Sequence, residues 1–176
     1  MAGMKFILET ERLVLREMTP ADVDDLARTL CDRQNMRFYP YAFERSDVER
    51  WIARSIERYA TEGTGLWAIV LKQTNQLIGD CGLICQQVDG IPELEIGYHL
   101  ERPHQGRGFA TEAARACRDY AFRQLGRNRL VSLIRPENVP SRRVAERNGL
   151  FVEKETIFYD LLHLVYVALP DAAGLR

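Results

Sequence analysis

A glycine-containing turn is the segment of this sequence best suited to bind an anion. Gly106 and Gly108 lie within it, and glycine lets the backbone approach a ligand closely because it has no side chain. A predicted helix begins at Gly108, and its first turn offers free N–H groups and the positive end of the helix dipole. Arg102 and Arg107 flank the turn. These residues predict a site for a phosphate or pyrophosphate group.

Two common phosphate-binding motifs do not match this turn. A Walker loop requires GxxxxGK[ST], and the chain contains no Gly-Lys pair. The dinucleotide fingerprint GxGxxG lacks its third glycine, because Thr111 occupies that position. A nucleotide-binding domain that uses Gly106 and Gly108 stays open as an alternative, as does a structural turn that binds nothing.

The strand before the turn presents two different faces. Over residues 93–100, apolar side chains alternate with others, so that each set lies on its own side of the sheet. The two sets are Leu94, Ile96, Tyr98 and Leu100, and Glu93, Glu95, Gly97 and His99.

Hydrophobic periodicity predicts the element order β-α-α-β-β-β-α-β-α-β-β. A capping box at Ser46–Glu49 is expected to start the second helix. Hairpins indicate antiparallel pairs, whereas the β-α-β segment over residues 93–134 indicates a parallel crossover. We therefore expect an α/β (α+β) fold, with a mixed, mostly antiparallel sheet of about six to seven strands and helices on both faces.

The turn and its surroundings resemble the GNAT superfamily of N-acetyltransferases. The run QGRGFA at residues 105–110 matches the acetyl-CoA signature Q/R-x-x-G-x-G/A. The longer run EIGYHLERPHQGRGFATEA, the opening ETERLVLREMTPADVDDL and the tail segments PENVPSRRVAERNGLF and FYDLLHLVYVAL are similar to its RimJ/RimL-like branch. The resemblance covers about residues 8–169, which we expect to be the core of a single domain over residues 1–176.

The resemblance implies a GNAT fold in which strand 93–100 splays away from the parallel strand 130–134. Acetyl-CoA, the acetyl donor and cosubstrate, would enter the V-shaped gap with its pyrophosphate on the glycine turn, and no metal is expected. The implied contacts to acetyl-CoA are Gly97, Tyr98, His99, Leu100, Gln105, Gly106, Arg107, Gly108, Phe109, Ala110, Asn138 and Ser141.

The resemblance also suggests where the proton acceptor lies. Acyl transfer from a thioester to an amine needs a base and a donor to the oxyanion. Glu95 is our first candidate for the base and Glu93 the second, since both share a face with Gly97 beside the expected thioester. His99 is a third candidate, because imidazole titrates near neutral pH. A backbone N–H near Tyr98 or His99 would donate to the oxyanion.

The tyrosine that many GNAT enzymes use as an acid is missing from this chain. The pattern N-x-x-A-x-x-L-Y, aligned with NVPSRRVA, places Ala145 at that position. Ser141 falls at the earlier alanine position, where the resemblance to RimL-like enzymes implies a hydroxyl that holds the thiolate. Asn138 is expected to cap the helix and to contact the pantetheine. Arg142 and Arg143 form either a solvated helix face or contacts to the adenosine phosphate.

The first hundred residues are expected to carry the acceptor side. They hold eleven basic and sixteen acidic residues, an excess that suits a cationic amine. The loop Tyr39–Tyr41 borders the expected acceptor groove, and we expect Trp51 to pack in the core.

Charge and composition exclude several classes of protein. The net charge of −1 argues against a general nucleic-acid binder, although residues 101–147 hold eleven arginines and only five acidic residues. No run approaches the ~20 apolar residues that span a membrane. The four cysteines lack metal-ligand spacing and are interpreted as reduced core residues. We therefore expect a cytoplasmic protein that binds neither nucleic acid nor a membrane.

The combined prediction is an acetyl-CoA-dependent N-acetyltransferase. It would transfer the acetyl group directly, in a ternary complex, to a primary amine: a protein N-terminal α-amine or a small-molecule amine. The alternative is an acyl-CoA-binding module of the same fold without catalytic turnover, which the alanine at position 145 keeps open. A homodimer also stays open.

Overall fold

The computed structural model describes residues 5–170, which form one eight-stranded sheet with four α-helices. The strands are β1 (Phe6–Glu9), β2 (Leu13–Arg16), β3 (Leu66–Leu71), β4 (Gln76–Val88), β5 (Ile91–Leu100), β6 (Leu130–Ile134), β7 (Phe151–Phe158) and β8 (Leu161–Ala168). The helices are α1 (Val23–Leu30), α2 (Arg45–Thr61), α3 (Phe109–Arg123) and α4 (Val139–Arg147).

The strand order confirms the predicted fold class. The order is β1-β2-β3-β4-β5-β6-β8-β7, and every neighbouring pair is antiparallel except β5 and β6. The described sheet has one strand more than the largest predicted number. The additional strand is β1, a short run at the edge of the sheet that pairs with β2. It was missed because three consecutive apolar residues, Phe6 to Leu8, show no alternation.

The parallel pair β5–β6 is short. Its strands are in register at one position only, Glu95 opposite Val131, whereas β4 and β5 pair along the whole of β5. Two side chains bind backbone groups beside this single position: Ser132 Oγ donates to the carbonyl of Ile96 at 2.9 Å, and the N–H of Leu133 donates to Glu95 Oε1 at 3.2 Å. These two hydrogen bonds fix the position at which β5 and β6 separate.

Helices cover both faces of the sheet. Side chains of α3 and α4 pack with Leu94 and Ile96 of β5 in the larger apolar cluster. Side chains of α1 and α2 pack on the opposite face, around Leu26 and Ile52. The predicted alternation of β5 is therefore confirmed, because its apolar face lies against α3. None of the helices within residues 5–170 is long and apolar enough to cross a membrane.

Carboxylates shape the starts of the first two helices, and the start of the second differs from the prediction. A 3₁₀ turn, Pro20–Asp22, precedes α1, because the N–H of Thr19 donates to the Asp22 carboxylate at 2.7 Å. Helix α2 begins at Arg45, before the predicted capping box. The carboxylate of Asp47 accepts the N–H of Glu44 at 2.9 Å. The N-cap of α2 is therefore Glu44, two residues before Ser46.

The cysteines are only partly buried. Cys81 and Cys117 lie in the core with their sulfur atoms 3.6 Å apart, and both are free. Cys85 is exposed and Cys31 is half-buried, so the prediction of four core cysteines is wrong for these two. Cys85 belongs to β4 and lies beside Glu62, the residue that follows the end of α2.

Candidate active site

A cleft of about 510 Å³ opens where β5 and β6 separate. The end of β5, the glycine turn, the first turns of α3 and α4 and the loop between α1 and α2 surround it. Ten of the twelve residues predicted to contact acetyl-CoA line this cleft, and Gly97 and Arg107 do not. The ten are Tyr98, His99, Leu100, Gln105, Gly106, Gly108, Phe109, Ala110, Asn138 and Ser141.

The glycine turn leads directly into α3. Gly106 has φ +73° and Gly108 has φ +84°, a left-handed conformation that side chains disfavour. Gly108 is the N-cap of α3, and no side chain caps that end of the helix. The N–H groups of the first turn are therefore free to bind an anion from the cleft. A Cβ atom at Gly108 would lie 3.3 Å from the Arg12 guanidinium, whereas one at Gly106 would meet nothing within 4 Å.

Arg12, which the sequence analysis missed, holds the turn from the other side. Its Nη1 donates to the carbonyl of Arg107 at 3.0 Å, and its Nε donates to Glu112 Oε2 at 2.7 Å. The guanidinium lies 4.4 Å from the centre of the Phe109 ring. Burial alone would raise the pKa of Glu112, but hydrogen bonds from Thr10 and Arg12 hold it below its usual value. Arg12 therefore ties β2 to the start of α3.

Tyr98 reaches across the cleft to α4. Its hydroxyl lies 3.0 Å from the carbonyl oxygen of Ser141 and 3.0 Å from Ser141 Oγ. Burial raises the pKa of Tyr98, so the phenol keeps its proton at neutral pH. Asn138 Oδ1 accepts the N–H of Ser141 at 3.2 Å, which confirms the predicted helix cap. Ala145 is buried in the core and adds no hydroxyl to this group.

Glu95 lies at the point where β5 and β6 separate. Its Oε2 accepts from Gln86 Nε2 at 2.9 Å, and its Oε1 accepts the N–H of Leu133 at 3.2 Å. Burial raises the pKa of its carboxyl, and these two hydrogen bonds counteract part of that effect.

Glu93 lies in a different environment from Glu95. Arg129 Nε donates to both of its carboxylate oxygens, at 2.9 and 3.1 Å, and the same guanidinium binds Glu153. Neither glutamate is among the residues that line the cleft. Glu95 lies at the strand separation through its hydrogen bond with Leu133, whereas Arg129 holds Glu93.

His99 belongs to a buried polar chain that sequence reasoning did not find. Its Nδ1 lies 2.7 Å from Oδ1 of Asp80, a residue with no solvent exposure. Asp80 Oδ2 accepts from Trp51 Nε1 at 2.8 Å. Trp51 is only half-buried and does not simply fill the core, contrary to the prediction. The pairing of β4 with β5 places Asp80 directly opposite His99, so a correctly registered hairpin could have revealed this pair.

Two regions at the cleft mouth differ in chemistry. Arg143 and Arg147 of α4 line the cleft, whereas Arg142 turns away and donates to the Tyr166 hydroxyl and the Pro136 carbonyl, both at 3.1 Å. Arg142 therefore has a structural role and matches neither predicted alternative. On the other side, the Tyr39 ring lies 5.2 Å from the His99 ring.

Comparison with known proteins agrees with this geometry. A family model described as the acetyltransferase (GNAT) domain matches residues 12–150. The protein named "Uncharacterized N-acetyltransferase p20" from Bacillus licheniformis is 35% identical over 156 residues, which are 87% of this chain and 85% of that protein. An acetyltransferase from Agrobacterium tumefaciens strain C58 superposes with a TM-score of 0.82 and 30% identity, covering 93% of this chain and 94% of the other.

The fold is also shared with a more distant enzyme. RimL, a ribosomal L7/L12 alpha-N-protein acetyltransferase whose structure was solved in complex with coenzyme A, superposes with a TM-score of 0.72. The two are 19% identical, and the match covers 96% of this chain and 99% of RimL. The family model and the relative at 35% identity together decide the assignment. The chain belongs to the acetyltransferase (GNAT) family.

Proposed function

We propose that this acetyltransferase moves the acetyl group of acetyl-CoA directly to a primary amine, with both substrates bound in one ternary complex. The observation that carries the proposal is the two-sided construction at the end of β5. Tyr98 and Ser141 pair on the face toward α3 and α4, which we call the donor face. His99 and Asp80 pair on the face toward α1 and α2, which we call the acceptor face. One strand can thus present a thioester to an amine.

The donor would bind where the backbone of β5 is free. Pairing with β6 ends at Glu95, so the segment from Tyr98 to Leu100 can pair with the pantetheine amides as with an added strand. The pyrophosphate would lie on the N–H groups between Gln105 and Ala110. Arg143 and Arg147 line the same cleft and supply positive charge for phosphate groups.

The donor face also offers groups for the transfer step. A backbone N–H at Tyr98 or His99 would donate to the developing oxyanion. The Ser141 hydroxyl would donate to the sulfur of the leaving thiolate, and the neighbouring Tyr98 hydroxyl can donate to Ser141 Oγ in turn. This pair of hydroxyls would replace the tyrosine for which the chain has Ala145.

The base is proposed on the acceptor face. Glu95 is one candidate on this face, and burial raises the pKa of its carboxyl. Glu93 has less support, because Arg129 holds its carboxylate in an ion pair. His99 and its partner Asp80 belong to the same face.

The acceptor is a protein N-terminal α-amine or a small-molecule amine. The name of RimL assigns it a protein α-amine, and the fold shared with RimL supports the first class. Two acidic groups, the buried Asp80 and the half-buried Glu95, support a cationic acceptor in either class. The free cysteines of the described residues support a reducing compartment such as the cytoplasm. The proposal includes no nucleic acid or membrane partner.

Release of free CoA from acetyl-CoA, measured against a panel of amines and peptides, tests the proposal. Turnover with at least one amine, and none without an acceptor, is the expected result. Tight binding of acetyl-CoA without turnover on any amine would favour a binding module instead. Competition with ATP and NAD provides the second arm, and a preference for either nucleotide over acetyl-CoA would contradict the donor site.

A further inference from the structure

We propose that His99 is the general base of the acetyl transfer and that Asp80 is the residue that orients it. This inference deepens the proposed function and rests on it. Three observations carry it: the contacts of Asp80, the unpaired ring nitrogen of His99, and the hydrogen bonds that both oxygens of Glu95 already accept.

Asp80 has no exposed surface and its two carboxylate oxygens have different partners. The Trp51 indole N–H, which can only donate, binds Oδ2 at 2.8 Å. Oδ1 lies 2.7 Å from His99 Nδ1, a distance expected for a charge-assisted hydrogen bond. The arrangement places the imidazole proton on Nδ1 and leaves Nε2 with a lone pair. Asp80 therefore selects the tautomer in which Nε2 can accept a proton.

The free nitrogen of His99 has no partner among the described residues. His99 Nε2 is buried and unpaired, although most buried polar atoms in native structures are paired. The two nitrogens lie on nearly opposite edges of an imidazole ring. Since Nδ1 bonds to Asp80 on β4, Nε2 is the ring nitrogen left to accept a proton. His99 is among the residues that line the cleft.

Aromatic side chains fix the plane of the His99 ring. The Tyr39 ring lies 5.2 Å away, from the loop before α2, and the Trp51 ring lies 5.8 Å away at a near-perpendicular angle. The titratable groups around His99 are Asp80 on β4, Glu95 on β5 and Tyr39 on this loop. Asp80 is the one of these groups that bonds to the imidazole directly.

Glu95 has a different task. Both of its oxygens already accept hydrogen bonds, from Gln86 and from the N–H of Leu133. The bond to Leu133 holds β6 at the point where it separates from β5. We therefore treat Glu95 as a positioning residue that maintains the cleft and adds negative charge near His99.

The transfer then balances as follows. A cationic acceptor first releases one proton to solvent. The neutral amine nitrogen then forms a bond to the thioester carbonyl carbon while Nε2 of His99 takes one further proton from that nitrogen. The carbonyl reforms as the C–S bond breaks, and the bonding electron pair leaves with sulfur as a thiolate. The thiolate gains a proton from solvent through the Ser141 and Tyr98 hydroxyls, and His99 returns its proton to solvent. No other reactant is required.

Matched variants can separate this role from a structural one. In His99→Asn, the side-chain amide can still donate to Asp80, but no group remains at the position of Nε2. We expect kcat/KM for the amine to fall about 100-fold or more, the scale of general base catalysis. The KM for acetyl-CoA should stay within about threefold, and the acidic limb of the kcat–pH profile should disappear. His163→Asn is the control, because His163 binds the Leu161 carbonyl on β8 and lies outside the cleft.

A spectroscopic arm does not depend on turnover. Long-range ¹H–¹⁵N spectra of the wild-type chain should show His99 with Nδ1 protonated and Nε2 bare at pH 8. Asp80→Asn should shift the ring toward the other tautomer and lower kcat, since the new amide donates to Nδ1. If Asp80→Asn does not fold, the wild-type spectrum and His99→Asn still decide the question.

The outcomes distinguish this inference from the proposed function. A wild-type chain that acetylates no amine would contradict the proposed function. If the wild-type chain is active and His99→Asn retains its rate and its pH profile, only the role of His99 is overturned. A wild-type spectrum with Nε2 protonated would also overturn it.

Discussion

The donor face and the acceptor face of β5 are built in different ways. The donor face contains a hydroxyl pair between residues 43 positions apart, Tyr98 and Ser141, but its glycine turn, helix N-terminus and Asn138 cap act through local geometry. On the acceptor face, His99 depends on Asp80, which lies 19 residues away, and Asp80 depends on Trp51, a further 29 residues away. A site for a constant ligand can thus be encoded in short continuous segments. The proposed acceptor site instead depends on tertiary packing of several elements.

Two ion pairs, one just before β2 and one at its end, connect the sheet to the helices on its two faces. The two pairs differ in their exposure to solvent. Arg12 binds Glu112 at the start of α3, and its side chain is 42% exposed. Arg16 binds Asp22 before α1, and its side chain is 12% exposed. Exposed ion pairs contribute little to stability, whereas removing one partner of a buried pair is strongly destabilising. We therefore expect disruption of the second pair to have the larger effect on folding.

The substitution Gly108→Asp should break the donor face alone. The new side chain would be strained at φ +84°, and its negative charge would lie where the pyrophosphate is expected. We expect the KM for acetyl-CoA to rise roughly 100-fold, the scale of a lost hydrogen bond to a charged group. Steady-state kinetics with acetyl-CoA varied will measure it. Gly90→Asp is the control, with φ +78° and open space around it. An unchanged KM would contradict the placement of the pyrophosphate.

Asp22→Asn should destabilise the acceptor side in a pH-dependent way. Burial alone would raise the pKa of Asp22, but hydrogen bonds from Arg16 and Thr19 bring it below its usual value. Since the unfolded chain then binds a proton more readily, wild-type stability should be full above pH ~4 and fall as the pH drops through the lower folded pKa. We expect the variant to lose about 2 kcal/mol at pH 7.

Urea unfolding at several pH values measures this effect. The difference between wild type and Asp22→Asn should begin to shrink below pH ~4 and should level off below the lower folded pKa, where Asp22 is protonated in both states of the wild type. Asp25→Asn serves as the matched control, because Asp25 pairs with Arg28 on an exposed helix surface. Equal losses in the two variants would show that burial does not separate these pairs.

Ser141→Ala should sharpen the comparison within the donor face. If its hydroxyl supports the thiolate, kcat should fall about 10-fold while the affinity for acetyl-CoA changes little. Tyr98→Phe should lower kcat by a smaller factor, since Tyr98 acts through Ser141. The double variant should resemble Ser141→Ala, because the two hydroxyls act as one unit. An unaffected kcat would assign the thiolate to water or to another side chain.

The smallest effect is expected for Arg12→Gln. The glutamine loses the charge and most contacts to the carbonyl of Arg107 and to Glu112, so the glycine turn is held less firmly. We expect the dissociation constant of acetyl-CoA to rise about threefold and the rate with saturating substrates to stay the same, as is usual for a partly exposed pair. Calorimetric titration measures the change. Arg115→Gln, on the exposed surface of α3, is the control.

The sequence predicted the parts of the molecule that depend on neighbouring residues. The alternation of β5, the short strand β6, the Asn138 cap and the glycine turn all rest on local patterns, and the structure contains each of them. The placement of ten predicted contacts along one cleft follows from these elements.

The remaining features depend on contacts between distant residues. The register of β4 against β5 brings Asp80 to His99, and no local pattern fixes that register. Arg129 reaches Glu93 from the loop just before β6, so the sequence could not distinguish Glu93 from Glu95. The contacts of Arg12 could not be predicted either, because it binds a helix about one hundred residues away.

Because β5 and β6 pair at one position only, part of a central strand in the described sheet has backbone groups without a strand partner. N–H and C=O groups near Tyr98 lie on a central strand, yet they are as available for pairing as those of an edge strand. A ligand that bonds to them completes the ladder and links the five strands before the opening to the three after it. Amide hydrogen exchange at residues 98–100 should then slow in the bound state. Slower exchange at these residues would show that a bound ligand stiffens the centre of the sheet.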